Sequence, residues 1–598
     1  MYINSYNSSR AQQPAQGSKR NESLHRRLQA VFILCIFCGV VVIARLFFIM
    51  VLRFDFYTAL AAGSHEIYQK LIPDRGEIFI KDTRNDSEFP VAINKDYFIV
   101  FADTRFIDND QQANDIANQV ADILQYDQEK RDKIIKTFLK PNDPYEPIEK
   151  KVEQSVVDKL MAIETKSIGV IRKSYRFYPE KTLASQVVGF LGKDDTGTKD
   201  IGRYGTEGYW EKELAGRGGF VEGVRAASGG LLSVASKSLK PAQDGADIVL
   251  TIDRTLQFKA CEILQKGLEE YEAESATFIM MNPFSGEIYA MCSLPHFDPN
   301  KYSKVESISV YNNSTIYRPY EPGSIFKPVT MAAAINERLV TPDTIYHDTG
   351  SNDEVCETTI RNADQKIYED QTMTGVLENS INTGMVYIAE LLGKDMLTEY
   401  IEEFGFGLKV GIQVDSERTG TIDSLSLNKR DKLDCYGATA SFGQGITVTP
   451  LQMVSAFSAI ANGGMLMKPY VIDQIRFHDG SVQKTKRKEL KKVISKKTAQ
   501  LISGMLVSVV DSGHAGGAKV DGYYIAGKTG TAQIPGKGGY TKETNHSFIG
   551  YGPVDDPQFV MMVKYEKPQR RFSASTAAPI FGEIANFAVK YFQIPPSR

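Results

Sequence analysis

The chain has 598 residues, a formal net charge of -3, 24% charged residues and 42% hydrophobic residues. This is ordinary globular composition, long enough for two or more domains, and the near-neutral charge gives no footing to nucleic-acid binding.

Residues 1–27 are polar, rich in Gln and Ser, and carry Arg10, Lys19, Arg20, Arg26 and Arg27 against one acid, Glu22. They read as a disordered cytoplasmic tail. Residues 30–52 are then apolar apart from Arg45, long enough to cross a bilayer and too long for a signal-peptide core. A single transmembrane helix is predicted over 28–52. Its basic flank belongs on the cytoplasmic side, so the remaining chain faces outward. Arg45 within the span either snorkels to the interface or meets a partner helix.

From residue 53 to about residue 240 short strands and helices alternate with Gly/Asp turns, without nucleophile or metal motifs. Cys35 and Cys38 lie in the span; Cys261, Cys292, Cys356 and Cys435 are scattered outside it. No C-x-x-C pair or Cys/His cluster points to zinc, and spacing alone identifies no disulfide.

A Pro/Gly/Asp linker at 241–247 opens a second domain, taken as residues 246–598. Leu256, Ala260, Ile263, Leu264 and Leu268 mark an amphipathic helix. Residues 276–281 and 287–291, joined by Asn282-Pro-Phe-Ser-Gly286, read as a hairpin.

Ser324-Ile-Phe-Lys327 follows. Residues three apart share a helix face, so Lys327 can sit over Ser324 as the base that a hydroxyl nucleophile needs. To do so it must be neutral, which requires burial or nearby cations. Pro328 is tolerated only in a first helical turn, so Ser324 is placed at or just before the start of an apolar helix over 325–339, where unpaired backbone amides can serve an oxyanion.

Ser380-Ile-Asn382 lies between helix-like runs at 374–378 and 385–392. Ser441-Phe-Gly-Gln-Gly-Ile-Thr-Val-Thr-Pro450 precedes a helix capped by Thr449. Lys528-Thr529-Gly530-Thr531 ends a strand-like run from Tyr523, with Gly527 and Gly530 pointing to close approach of another backbone or a ligand. The Gly-rich stretch 535–540, strands at 546–551 and 558–565, and an amphipathic helix over 579–592 complete the chain.

The ordered triple S-x-x-K, second Ser motif and K-T-G is the set of penicillin-binding proteins and class A β-lactamases. Tyr320-Glu-Pro-Gly-Ser-Ile-Phe-Lys-Pro328 and the Asn at the second motif resemble class B penicillin-binding proteins of the cell-division branch. So do Thr251-Ile-Asp-Arg-Thr-Leu-Gln257 and residues 441–450. Asp74-Arg-Gly-Glu-Ile78, Arg176-Phe-Tyr-Pro179, Gly205-Thr-Glu-Gly208 and Leu214-Ala-Gly216 are similar to that family's non-catalytic, dimerisation-type pedestal.

The resemblance implies an α+β chain: a transmembrane helix, an elongated α/β pedestal over 53–240, and a serine transpeptidase domain with an antiparallel sheet flanked by helices. It implies a peptidoglycan D,D-transpeptidase of septal cell-wall synthesis, inhibited by β-lactams and needing no cofactor or metal. Ser324 is then the nucleophile, Lys327 its base, and Ser380 the proton relay. Asn382 holds the donor amide and Lys528 supplies charge. The Thr529 and Thr531 hydroxyls hold the terminal carboxylate beside Gly530, and the Ser324 and Thr531 amides form the oxyanion hole. Implied partners are donor and acceptor stem peptides, the membrane, other division proteins and a multi-spanning glycan polymerase of the shape, elongation, division and sporulation family.

Ile325 stands where many division enzymes have Thr, and Ile381 where many have Ser. The competing readings are an elongation-type transpeptidase, a β-lactamase, a β-lactam sensor and an inactive division scaffold. A sensor's usual metalloprotease half needs H-E-x-x-H, and His65-Glu66 is followed by Ile-Tyr-Gln.

Overall fold

The computed structural model describes residues 67–71, 73–223, 238–427 and 433–598, with isolated positions 39, 41 and 43. Apart from those three positions, the expected tail and membrane span lie outside the described residues. Among the described residues no helix is long and apolar enough to cross a membrane. The chain divides into two compact units, one containing residues 96–175, the other residues 70–95, 176–220 and 240–598.

In the smaller unit, helices Asp110–Ile123 and Gln128–Phe138 are started by Asn109 and Asp127, whose side chains accept from Gln112 N and Lys130 N. These are ordinary N-caps for otherwise unpaired first-turn amides. Ala113, Ile116, Ala117 and Val120 recur on one face of the first helix and join Val100, Phe138, Val152, Leu160 and Ile168 in a separate core.

The larger unit holds the three sequence motifs. The elements that place them are helix α1 (Arg254–Glu270), strands β1 (Ser275–Met281) and β2 (Ile288–Leu294), helices α2 (Lys327–Asn336), α3 (Met373–Glu378), α4 (Asn382–Leu392), α5 (Pro450–Ala461) and α6 (Lys496–Asp511), strands β3 (Ala526–Gly536), β4 (Gly539–Gly552) and β5 (Phe559–Glu566), and helix α7 (Ala577–Tyr591). The five strands pair antiparallel in the order β2-β1-β5-β4-β3. Helices α1 and α7 pack on each other and on the sheet, and α5 packs on β1, β4 and β5. Strands β1 and β5 are buried along almost their whole length, as expected where both faces are covered.

Several local expectations are met. Thr449 forms a full capping box with Gln452, with Pro450 in the first turn of α5. Leu256, Ala260, Ile263 and Leu264 are the buried stripe of α1. Others shift. The apolar run expected as one helix over 325–339 begins as a 3-10 turn, Gly323–Phe326, and turns α-helical at Lys327, because Pro328 cannot supply an amide to continue a helix from upstream. The Gly-rich stretch 535–540 forms the far end of the long β3–β4 hairpin, as its place between two strands suggested. Two disulfides that spacing could not identify join Cys261 of α1 to Cys292 of β2, and Cys356 to Cys435.

Three patches that carry no chemistry in the sequence converge in the larger unit. Glu207, fully buried, accepts from Arg75 (2.5 and 2.8 Å), Arg176 (2.7 Å) and the Tyr178 hydroxyl (3.2 Å). Arg75 also pairs with Glu211 at 2.7 Å. Burial pushes the Glu207 carboxyl up, but the Arg176 and Arg75 guanidiniums outweigh it and hold the group ionised. Removing this charge leaves the buried Arg176 guanidinium without a carboxylate and Arg75 with Glu211 alone. Glu207→Gln is therefore expected to cost about 3–5 kcal/mol of stability, read as a lowered denaturation midpoint of the purified protein; an unchanged midpoint would count against a fold-holding role for the cluster.

Candidate active site

The segment leading to Ser324 is held from three sides. Tyr320 exchanges backbone hydrogen bonds with Val448 (3.0 and 2.9 Å), and its buried ring lies under the Lys564 ammonium at 4.5 Å. Gly323 donates to Gly443 O at 2.9 Å and adopts φ +57°, a left-handed conformation that glycine enters at no steric cost. Ser324 follows, partly exposed, and its carbonyl accepts from the Lys327 amide one turn later. Lys327 is fully buried.

The second motif forms the tight turn between α3 and α4. Ile381 N–H returns to Val376 O at 2.9 Å, and Ser380 sits at φ +57°. For a non-glycine residue this costs of order 1–3 kcal/mol and persists only where surroundings enforce it. The turn aims Ser380 at both motif lysines. Lys327 Nζ donates to Ser380 O at 2.5 Å and to its Oγ at 3.2 Å, while Lys528 Nζ donates to the same Oγ at 3.1 Å. A hydroxyl has two acceptor lone pairs and one hydrogen. With both lone pairs engaged, the Ser380 proton remains free to be passed on.

Neither lysine has a carboxylate within ion-pair distance among the described residues. Burial first, and then the neighbouring Lys528 charge, drives Lys327 well below its ordinary range, with Asp364 opposing the shift. Burial alone pushes Lys528 down to about 7. At neutral pH this favours an unprotonated Lys327, the form able to take a proton from a hydroxyl.

The third motif lies on β3, the outer strand of the sheet. An outer strand leaves alternate backbone donors and acceptors unpaired, a ready template for an extended substrate. Gly530 is required by close approach: a Cβ there would stand 2.7 Å from Ser547 Oγ and 2.9 Å from the Ile325 side chain. The strand thus lies directly against the turn that carries Ser324. Thr529 Oγ1 is 3.5 Å from Lys528 Nζ, and Thr531 Oγ1 bonds to Ser573 through its hydroxyl (3.2 Å) and its amide (3.1 Å).

The structure therefore gathers Lys327, Ser380 and Lys528 around one hydroxyl, with Ser324 one turn from Lys327 and Gly530 against Ile325. Asn382 opens α4, its side-chain amide donating to Arg361 O at 2.9 Å and its backbone amide to Asn362 Oδ1 at 3.0 Å. Sequence reasoning missed Arg361, Asn362, Asp364 and Ser573, which reach the motifs from distant chain positions that no fixed spacing marks. It also passed over the bracing of Glu321, whose carboxylate accepts from Tyr540 OH (2.9 Å) and Gly445 N (3.2 Å) and so ties the hairpin end to the residues before Ser324. Among the described residues no group of three or more His, Cys, Asp or Glu side chains is placed to hold a metal ion.

Residues 276–586 match the family described as the penicillin binding protein transpeptidase domain, and residues 70–250 the penicillin-binding protein dimerisation domain. Stage V sporulation protein D of Bacillus subtilis is 34% identical over 588 residues, 97% of this chain and 88% of that protein. A peptidoglycan D,D-transpeptidase FtsI homolog of Mesostigma viride is 27% identical over 96% of both chains. In fold, the chain is similar to penicillin binding protein 2X of Streptococcus thermophilus, with a TM-score of 0.72 at 23% identity over 88% of this chain and 80% of the other.

The lysine pair yields a pH test. Acylation of Ser324 by an activated acyl donor should fall on acidification as Lys327 gains its proton. Lys528 carries its charge on that acid side, below about 7. Removing the charge eases protonation of Lys327, so Lys528→Gln should shift the acid limb of the acylation rate to higher pH. A limb that stays in place or moves lower would break the proposed coupling.

Proposed function

We propose, from the premise that this chain belongs to the penicillin-binding protein family and combines its dimerisation and transpeptidase domains, that it cross-links stem peptides in septal cell-wall synthesis. It is a peptidoglycan D,D-transpeptidase. The observation that carries the site assignment is the convergence of two buried lysines on Ser380 Oγ, one turn from Ser324.

In this reading Lys327 Nζ takes the Ser324 hydroxyl proton as Oγ attacks the carbonyl between the two terminal D-alanines. The amides of Ser324 and Thr531 receive the oxyanion, a term of roughly 3–4 kcal/mol per donor in comparable sites. The proton passes through Ser380 to the departing D-alanine nitrogen as the C–N bond breaks, leaving an ester on Ser324. Asn382 has two amide hydrogens; Arg361 O holds one, and the other serves the donor's carbonyl. Lys528, Thr529 and Thr531 receive the terminal carboxylate beside Gly530. An amine of a neighbouring strand then attacks the ester, its proton returns through the same groups, and Ser324 is released. A penicillin enters by the same first step and stays as a stable ester.

The apolar run 30–52 and its basic flank support a single-pass anchor in the cytoplasmic membrane with the catalytic domain outside. Cys261–Cys292 and Cys356–Cys435 fit an oxidising compartment. The domain limits follow as 1–27 tail, 28–52 span, 53–240 pedestal and 246–598 transpeptidase. Arg45 supports contact with a helix of a multi-spanning glycan polymerase. The name of the Bacillus relative favours a second reading, wall synthesis during sporulation. Depletion of the gene product, scored for filaments, rounded cells or spores alone, separates the septal, elongation and sporulation roles.

The chemistry has a direct test. Intact-protein mass spectrometry after penicillin treatment should show one adduct, mapped to the peptide containing Ser324 and released very slowly. Ser324→Ala should abolish it. Lys327→Arg, which keeps the charge but does not readily lose a proton, should abolish acylation in a folded protein. An adduct surviving Ser324→Ala would sink the nucleophile assignment, and steady hydrolysis of penicillin would overturn transpeptidation in favour of a β-lactamase.

A further inference from the structure

Asp348 is a fully buried carboxylate with no cation within ion-pair distance among the described residues. Burying a charge is costly unless it is hydrogen-bonded on all sides, and this one is. Its Oδ1 accepts from the Thr383 hydroxyl (2.5 Å) and Gly350 N (3.1 Å). Its Oδ2 accepts from Asn362 Nδ2 (2.8 Å) and Tyr368 N (2.9 Å).

Two of these partners, Thr383 and Asn362, reach the second motif directly. Thr383 is the residue after Asn382. Asn362, also buried, spends both amide hydrogens on Asp348 Oδ2 and Lys366 O, which fixes its Oδ1 towards the start of α4. That oxygen accepts from the Asn382 amide at 3.0 Å, and the neighbouring Arg361 carbonyl takes one hydrogen of the Asn382 side chain at 2.9 Å. Asp364, on the same segment, bonds the Tyr368 hydroxyl at 2.6 Å.

We propose that Asp348, Asn362 and Thr383 are positioning residues for the transpeptidase reaction. A buried carboxylate anchors the segment 361–368, and that segment holds the Ser380–Asn382 turn in its strained, reactive orientation. Two features of the motif call for such a support. Ser380 occupies a left-handed conformation closed locally by its own amide on Leu377 O and by the Ile381 amide on Val376 O, so the turn as a whole still has to be placed against the lysines. Asn382 must present one particular amide hydrogen to the substrate, which the Arg361 carbonyl selects by occupying the other. The support acts through geometry: it touches no reacting atom and sets where Ser380 Oγ and Asn382 Nδ2 stand when the acyl donor arrives. This inference rests on Ser324 being the acylated residue.

The test separates the two. Full-length protein is reacted with a fluorescent penicillin over a concentration series, giving the acylation rate constant and the preceding non-covalent affinity separately. Thr383→Val keeps the side-chain shape but removes the hydroxyl donor from Asp348. It is expected to lower the acylation rate constant about tenfold or more, with affinity and thermal midpoint changed much less. Thr383→Ser restores the donor and is expected to recover the rate to within about threefold. An unlabelled native protein would refute the Ser324 reading itself. With native protein labelled, a Thr383→Val variant that acylates at the native rate, loses only affinity or fails to fold, or a Thr383→Ser variant that does not recover, overturns the positioning role.

Discussion

Two ammonium groups buried around one hydroxyl are each disfavoured first by lost hydration, and one of them further by the charge of the other. Lys327 and Lys528 are so placed at Ser380. The outcome is a lysine ready to accept a proton at neutral pH beside a second one still able to carry charge. The remaining architecture can be understood as what it takes to sustain that arrangement. The helix start at Pro328 points Lys327 inward, the turn between α3 and α4 delivers the hydroxyl, and the outer strand of the sheet brings Lys528 from the opposite wall.

Much of this was legible in the sequence because its causes are local. S-x-x-K fixes a serine and a lysine on one turn, Pro328 fixes where that turn starts, and Gly530 marks a strand that something presses against. The helix α5 could be placed from Thr449 and Pro450 for the same reason. What stayed hidden depends on chain-distant partners. Arg75, Arg176 and Glu207 look like unrelated patches until the larger unit folds them together. Cys356 and Cys435 are 79 residues apart, a separation that identifies no pair. Asn362 resembles any loop asparagine until its oxygen is found on the Asn382 amide.

The buried clusters around Glu207 and Asp348 solve the same problem by opposite means. Around Glu207 the charge is balanced by two guanidiniums, so strong attractions offset the loss of water. Around Asp348 no cation lies within ion-pair distance among the described residues, and neutral donors from Thr383, Asn362 and two backbone amides take the place of the hydration shell. The second solution suits its location. A further fixed positive charge beside the motif lysines would add to the field that already sets their protonation, whereas amide and hydroxyl donors fix geometry while adding little to that field.

The contact between Gly530 and the Ile325 side chain, with Gly323 against Ala532, has an evolutionary consequence. Backbone meets the turn that carries Ser324 with no room for a methyl group at Gly530, so replacing that glycine would have to shift Ser547, Ile325 or both. The hairpin end is different: an added side chain at Gly538 or Gly539 meets nothing within 4 Å, although the positive φ at both constrains which residues settle there. Sequence drift is therefore accommodated more readily at the hairpin end than at Gly530.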